Sequence, residues 1–211
     1  DKEFQFIIEN GYVTSWTSSD EFVGIIESNG TFKAKHIGET TITAIVNGKS
    51  ITAKVIVEPK VTEIIEPLYG SEITSVQVKN YEKRKLLSEL SDGTIIYQGS
   101  SRYEGIVMYL FEKEKWSGSM VGLETSPTDI SNKTSDFILE RYLPYLKIEN
   151  VLFFTSKDGN TIIGLGASTS TGVSLSYIPN ANKKSLQAFA EKSNKSNDIV
   201  KSIISKIEKI Q

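Results

Sequence analysis

The sequence predicts a multi-domain protein: a small all-β sandwich at the N-terminus, then an α+β two-layer domain with antiparallel strands and an internal repeat. Three observations predict it. Residues 1–58 alternate apolar and polar positions with period two, are punctuated by Asn and Gly, and contain no helical stretch. Residues 68–179 mix helix-spaced and strand-spaced segments in the order helix, strands, helix, strands. Residues 180–211 carry one apolar stripe at helical spacing. With 211 residues the chain can bury a real core without staples.

In the first section, Phe4, Phe6 and Ile8 alternate with polar neighbours, residues 41–46 form a second run, and Ile51, Ala53, Val55 and Val57 alternate again. Ser28-Asn29-Gly30 and Asn47-Gly48 mark turns, because Asn-Gly tolerates the positive φ of a tight hairpin. Stretch 59–67 is bracketed by Pro59 and Pro67 and reads as a linker. In the second section, Ser71 followed by Glu72 suggests an N-cap for a helix carrying Ile73, Val76 and Tyr81. Residues 86–90 and 94–97 flank Asp92-Gly93 as a hairpin, and 105–111 with 116–123 make a second strand pair. A helix is expected from Ser135 through Ile138, Leu139, Tyr142 and Leu143 until Pro144 interrupts it. Strands 150–156, 161–168 and 172–178 follow, separated by Asp158-Gly159-Asn160 and Ser170-Thr171-Gly172. In the tail, Ile199, Val200, Ile203, Ile204, Ile207 and Ile210 form the stripe; it lies on the open face of its own sheet or, as a basic amphipathic helix, on a membrane or partner.

Trp16-Thr17-Ser18-Ser19-Asp20, Val23, the run from Ser28-Asn29-Gly30 to Ala34, Gly38-Glu39-Thr40-Thr41 and the closing alternation 51–57 resemble the bacterial Ig-like group 2 (BIG2) module over about 50 residues. The resemblance implies a spacer or adhesion support without catalytic residues. Modules of that family run longer at the front, which implies an incomplete sandwich edge here. Glu66-Pro67-Leu68-Tyr69-Gly70-Ser71, Glu140-Arg141-Tyr142-Leu143-Pro144 and residues 173–179 are similar to a domain found downstream of Ig-like modules in envelope lipoproteins of Gram-negative anaerobes. That resemblance implies architecture and location only. The chain begins at Asp1 rather than Met, which suggests a removed leader carrying the export signal or anchor.

Composition narrows the chemistry. Lys plus Arg total 24 against 26 Asp plus Glu, net −2, which argues against a nucleic-acid partner. No apolar run reaches the ~20 residues of a membrane-spanning helix. Cysteine is zero, so disulfides, thiolate nucleophiles and Cys-based metal sites are excluded, and the single histidine, His36, reads as a loop residue. Gly164-Leu165-Gly166 lies inside a strand and lacks the helix that follows a dinucleotide fingerprint. Asp158-Gly159-Asn160 lacks the spaced ligands of a calcium loop. No cofactor, metal or catalytic residue is expected. Tyr97, Tyr103 and Trp116 with Arg102 make the candidate ligand face, since aromatic rings stack on sugars and Arg pairs with anions. Arg84 and Arg141 are the other bidentate donors; the second strand group adds Tyr142, Tyr145 and Tyr177. The expectation is a non-catalytic secreted or lipid-anchored surface protein that recognises a polysaccharide or another envelope protein. A carboxylate-dependent glycan hydrolase and a structural assembly subunit are the alternatives.

Overall fold

The computed structural model describes residues 3–149, 151–169, 172–193 and 197–209. All strand pairings in it are antiparallel, and the chain divides into two compact units, Asp1–Lys60 and Val61–Gln211.

The first unit contains strands β1 (Glu3–Gln5), β2 (Val13–Ser18), β3 (Gly24–Ile26), β4 (Thr31–Ala34), β5 (Gly38–Val46) and β6 (Lys49–Val57). They form two three-stranded sheets, ordered β1-β4-β3 and β2-β5-β6. Period two places Ile42, Ala44 and Val46 of β5 inside with Val23 and Phe32. Asn47 and Gly48 both adopt positive φ, 49° and 77°, which suits the right-handed twist of the β5–β6 hairpin. Gly30 also has positive φ, and a Cβ there would sit 2.8 Å from the Phe6 carbonyl and 3.2 Å from the half-buried Trp16 ring.

The second unit opens with α1 (Ser75–Tyr81), followed by β7 (Leu86–Glu89), β8 (Ile95–Gln98), β9 (Glu104–Glu112) and β10 (Lys115–Leu123). Then come α2 (Ile130–Leu139), β11 (Leu143–Ile148), β12 (Val151–Thr155), β13 (Thr161–Ser168), β14 (Gly172–Pro179), α3 (Lys183–Lys192) and α4 (Asp198–Glu208). The strands make one eight-stranded sheet, β11-β12-β13-β14-β10-β9-β8-β7. Each half is thus a helix followed by a four-strand meander, and the last strands of the two meanders pair in the centre, from Ser119↔Tyr177 to Gly122↔Ser174. On the inner face, Tyr97, Val107, Tyr109, Val121, Ile163, Leu165, Leu175 and Tyr177 share one core with Val78 of α1, Phe137 and Ile138 of α2, and Val200, Ile203, Ile204 and Ile207 of α4. On the outer face, Leu186 and Ala190 of α3 pack with Val151, Phe153 and Ile162.

Several boundaries differ from the sequence expectation. The cap of α1 is Thr74, not Ser71: Thr74 Oγ1 accepts from the Gln77 amide and Gln77 Oε1 accepts from the Thr74 amide, a reciprocal pair that Ser71 lacks. The second helix starts at Ile130 rather than Ser135 and ends at Leu139. Leu143, assigned to the helix from its spacing, is extended in β11, because a residue before proline is pushed out of the helical region. The tail holds two helices on opposite faces of the sheet, with the isoleucine stripe covering the unit's own core; Ile210 lies outside the described residues. Asn150, Ser170 and Thr171 also lie outside them. Most of the stretch expected as a linker is built into the second unit, where Val61 and Ile64 are 1% exposed.

A buried ion cluster holds that stretch. Arg84 donates to both Glu104 oxygens (3.1 and 2.9 Å), to Glu82 (2.6 Å) and to the Ile65 carbonyl (2.7 Å). Glu104 accepts in addition from the Ile65 amide at 2.7 Å and from Ser100 Oγ at 2.8 Å. The Tyr109 hydroxyl donates to Glu82 and accepts from the Leu68 amide. All three charged side chains are at most 1% exposed. Burial pushes the Glu104 carboxyl up, but the hydrogen bonds and charge of Arg84 outweigh it and hold it below its ordinary 4.5. A carboxylate depressed in the folded state adds stability that is present above its unfolded pKa and lost as pH falls through the folded one. Stability to urea is therefore expected to decline as pH drops below 4.5, with a shallower slope in Glu104→Gln. Arg84→Met leaves two buried carboxylates without their cation, and should cost about 3–5 kcal/mol in the same unfolding experiment at pH 7.

Candidate ligand groove on the outer sheet face

The expected ligand face does not form. Tyr97, Tyr103 and Trp116 are each 3% exposed and belong to the main core. Tyr97 packs edge-on against Tyr109 (6.0 Å between centroids), and Trp116 lies against Tyr69 (6.4 Å). The Tyr103 hydroxyl donates to Asp129 at 2.9 Å and accepts from Arg102 at 2.7 Å. Arg102 alone of the four is exposed, and its guanidinium lies 4.9 Å from the Tyr103 ring centre. Tyr97 shares the helix-covered face of β8 with Ile95, two residues away. A β-bulge between Trp116 and Gly118 turns Trp116 into the same core, and Tyr103, in the turn before β9, is held there by its bond to Asp129 at the start of α2.

The other residues considered for chemistry also have structural roles. Tyr142 and Tyr177 are buried and their hydroxyls bond each other at 3.0 Å; burial holds both phenols well above their ordinary pKa. Tyr145 is exposed on β11. Arg141 pairs with Glu140 and donates to the Val61 carbonyl. The half-buried His36 ring stacks on Phe22 (4.1 Å), with Nδ1 2.7 Å from the Phe22 carbonyl oxygen. Asp158 receives Ser156 Oγ at 2.5 Å and both amides of Asn160, closing its own turn. Among the described residues no cluster of His, Asp and Glu could hold a metal ion.

One concave feature of the second unit lies where α3 ends on the outer face. Gly164 and Gly166 of β13 let α3 approach: a Cβ on Gly164 would sit 3.0 Å from the Phe189 ring, and one on Gly166 would sit 2.7 Å from Ser193 Oγ. Pairing of β12 with β13 runs from Thr155↔Ile162 to Leu152↔Leu165. Beyond it, Ser193 takes over, accepting from the Ala167 amide (3.0 Å) and donating to the Ala167 carbonyl (3.2 Å). Between this helix end and β14 lies a groove of about 410 Å³, within the range of small-ligand sites. Met120 and Phe189 form its apolar walls, Ser174 and Ser176 its floor, and Lys192 its rim.

These lining residues were not legible as a site. Ser174 and Ser176 look like the polar half of an alternating strand, and nothing near them in sequence announces Phe189 or Lys192. The spacing of Gly164 and Gly166 was the available signal, since glycines two apart on a strand leave one face low. The lining includes hydroxyls, one cation, and no Asp, Glu or His. Such a surface can hold a neutral or anionic polar ligand by hydrogen bonds and ring contact. No protein family, curated protein or solved structure matches the chain. No helix among the described residues is long and apolar enough to cross a membrane.

Two substitutions check this arrangement. Trp116→Ala should cost about 3–5 kcal/mol in urea unfolding as a core cavity. Gly164→Val drives a side chain into Phe189 and should cost about 1–3 kcal/mol, with loss of amide-exchange protection concentrated in α3.

Proposed function

We propose that this chain is a non-catalytic, extracytoplasmic recognition protein that binds polysaccharide in the groove beside α3. The observation that carries the reading is the lining itself: serine hydroxyls, a phenyl ring and one lysine around about 410 Å³, with no carboxylate or imidazole among them. Hydroxyl-to-hydroxyl bonding with a ring beside it suits sugars, and Lys192 favours an acidic residue in the chain of sugars. In this reading the first unit is a BIG2-like Ig sandwich that serves as spacer. The second is an α+β binding domain arisen by internal duplication, which its repeated helix-plus-meander order supports. Similarity of the sequence motifs to Ig-like modules and envelope lipoproteins supports a cell-surface or secreted location.

The test is binding of the full chain to an array of neutral and acidic polysaccharides. Saturable binding to acidic chains is expected. Ser176→Tyr, which fills the groove, and Lys192→Glu, which reverses its rim charge, should each weaken it at least about tenfold with unchanged thermal midpoint. Absence of binding across the array, or binding indifferent to both substitutions, would overturn the reading.

A further inference from the structure

The first unit has an unfinished wall. On β5, Thr40, Ile42 and Ala44 are at most 3% exposed. Of their direct partners on β6, which point to the same face, Val55 and Ala53 are only half-buried and Ile51 is exposed, at 49%. β6 pairs with β5 on one side and is the edge of its sheet on the other. Between that edge and β1 and β4 runs a groove of about 540 Å³, lined by Phe4, Phe6 and Phe32 on one sheet and residues 54–58 on the other. Phe4, at its mouth, is 62% exposed. What fits such a site is an extended strand, which satisfies the free backbone groups of the edge and lays alternate apolar side chains into the groove.

We infer that the occupant is a second copy of this chain, its own β6 running antiparallel along this one. The segment Lys54-Val55-Ile56-Val57-Glu58 is self-complementary in that orientation. With Ile56 on the two-fold axis, Lys54 lies opposite Glu58 of the second copy, and Glu58 opposite its Lys54. Val55 and Val57 then face each other on the groove side, and the two Ile56 side chains, each 59% exposed alone, meet on the outer side. Opposite charges directly across a ladder stabilise it and like charges oppose it. Other registers fail: a slip of one residue turns Val55 and Val57 away from the groove. A slip of two sets Lys54 against Ile56 or Lys60. Pro59, which has no N–H, ends the pairing just past Glu58. The interface is isologous and closes on itself, so it yields a dimer and not a fibre.

Sedimentation equilibrium of the full chain tests this. A monomer–dimer equilibrium is expected. Lys54→Glu and Glu58→Lys each set like charges across the ladder twice, and should raise the dissociation constant at least about tenfold. The double variant Lys54→Glu/Glu58→Lys re-pairs them and should restore dimerisation. Because the chain has no cysteine, Ile56→Cys introduces a single thiol at the axis and should give a disulfide-linked dimer on mild oxidation. A monomer at every concentration up to about 0.1 mM overturns the inference, even one that takes up a heterologous strand. So does a dimer that ignores both charge reversals or fails to cross-link through Ile56→Cys.

Discussion

The central β10–β14 ladder is the constraint on which the second unit depends. Four residue pairs, from Ser119↔Tyr177 to Gly122↔Ser174, join two meanders into one sheet. The register assigns faces for every strand outward from it: Val121, Leu175 and Tyr177 point to the helical side, while Met120, Ser174 and Ser176 point to the other. A slip of one residue would exchange a hydrophobic set for a row of serines and glycines, so the burial of the inner face enforces the register. The helices follow from that choice. α2 and α4 supply apolar stripes to the inner face and α1 adds Val78, while α3 alone covers part of the outer face, leaving the groove at its end.

The Arg84 cluster acts on a different element. Desolvating three charges is costly, and a buried ion group adds little net stability over an apolar core. Its effect is geometric. Arg84 and Glu104 bond the carbonyl and amide of the same residue, Ile65, and Tyr109 bonds the Leu68 amide, so a stretch without regular secondary structure is held at its backbone. Val61 and Ile64 are consequently placed in the core, and what looks like a connection in sequence becomes a wall of the second unit.

The groove beside α3 and the β6 edge differ in kind because their chemistry differs. The groove beside α3 is an open depression with side-chain hydroxyls, suited to a small polar ligand or one segment of a long one. The β6 edge presents backbone groups and an apolar trough, which suit an added strand. One lies on the second unit and the other on the first. Each surface is carried by a handful of residues: Ser174, Ser176, Phe189 and Lys192 for the first, residues 54–58 for the second.

Local chemistry was legible in the sequence wherever neighbours alone decide the outcome. Asn47-Gly48, Asp92-Gly93 and Asp158-Gly159 sit at hairpin turns because their backbone preferences are intrinsic, and the strands around them keep period two. The isoleucine stripe of α4 likewise marked a face to be covered. Tertiary structure alone decided which face that was. Alternation shows that Ile95 and Tyr97 share a side of their strand, but not that helices distant in the chain would bury it, so rings that looked available for a ligand became core. Gly164 and Gly166 are punctuation until Phe189 lies against them. A side chain's periodicity is set by its own backbone; its exposure is set by whatever else the fold brings to that face.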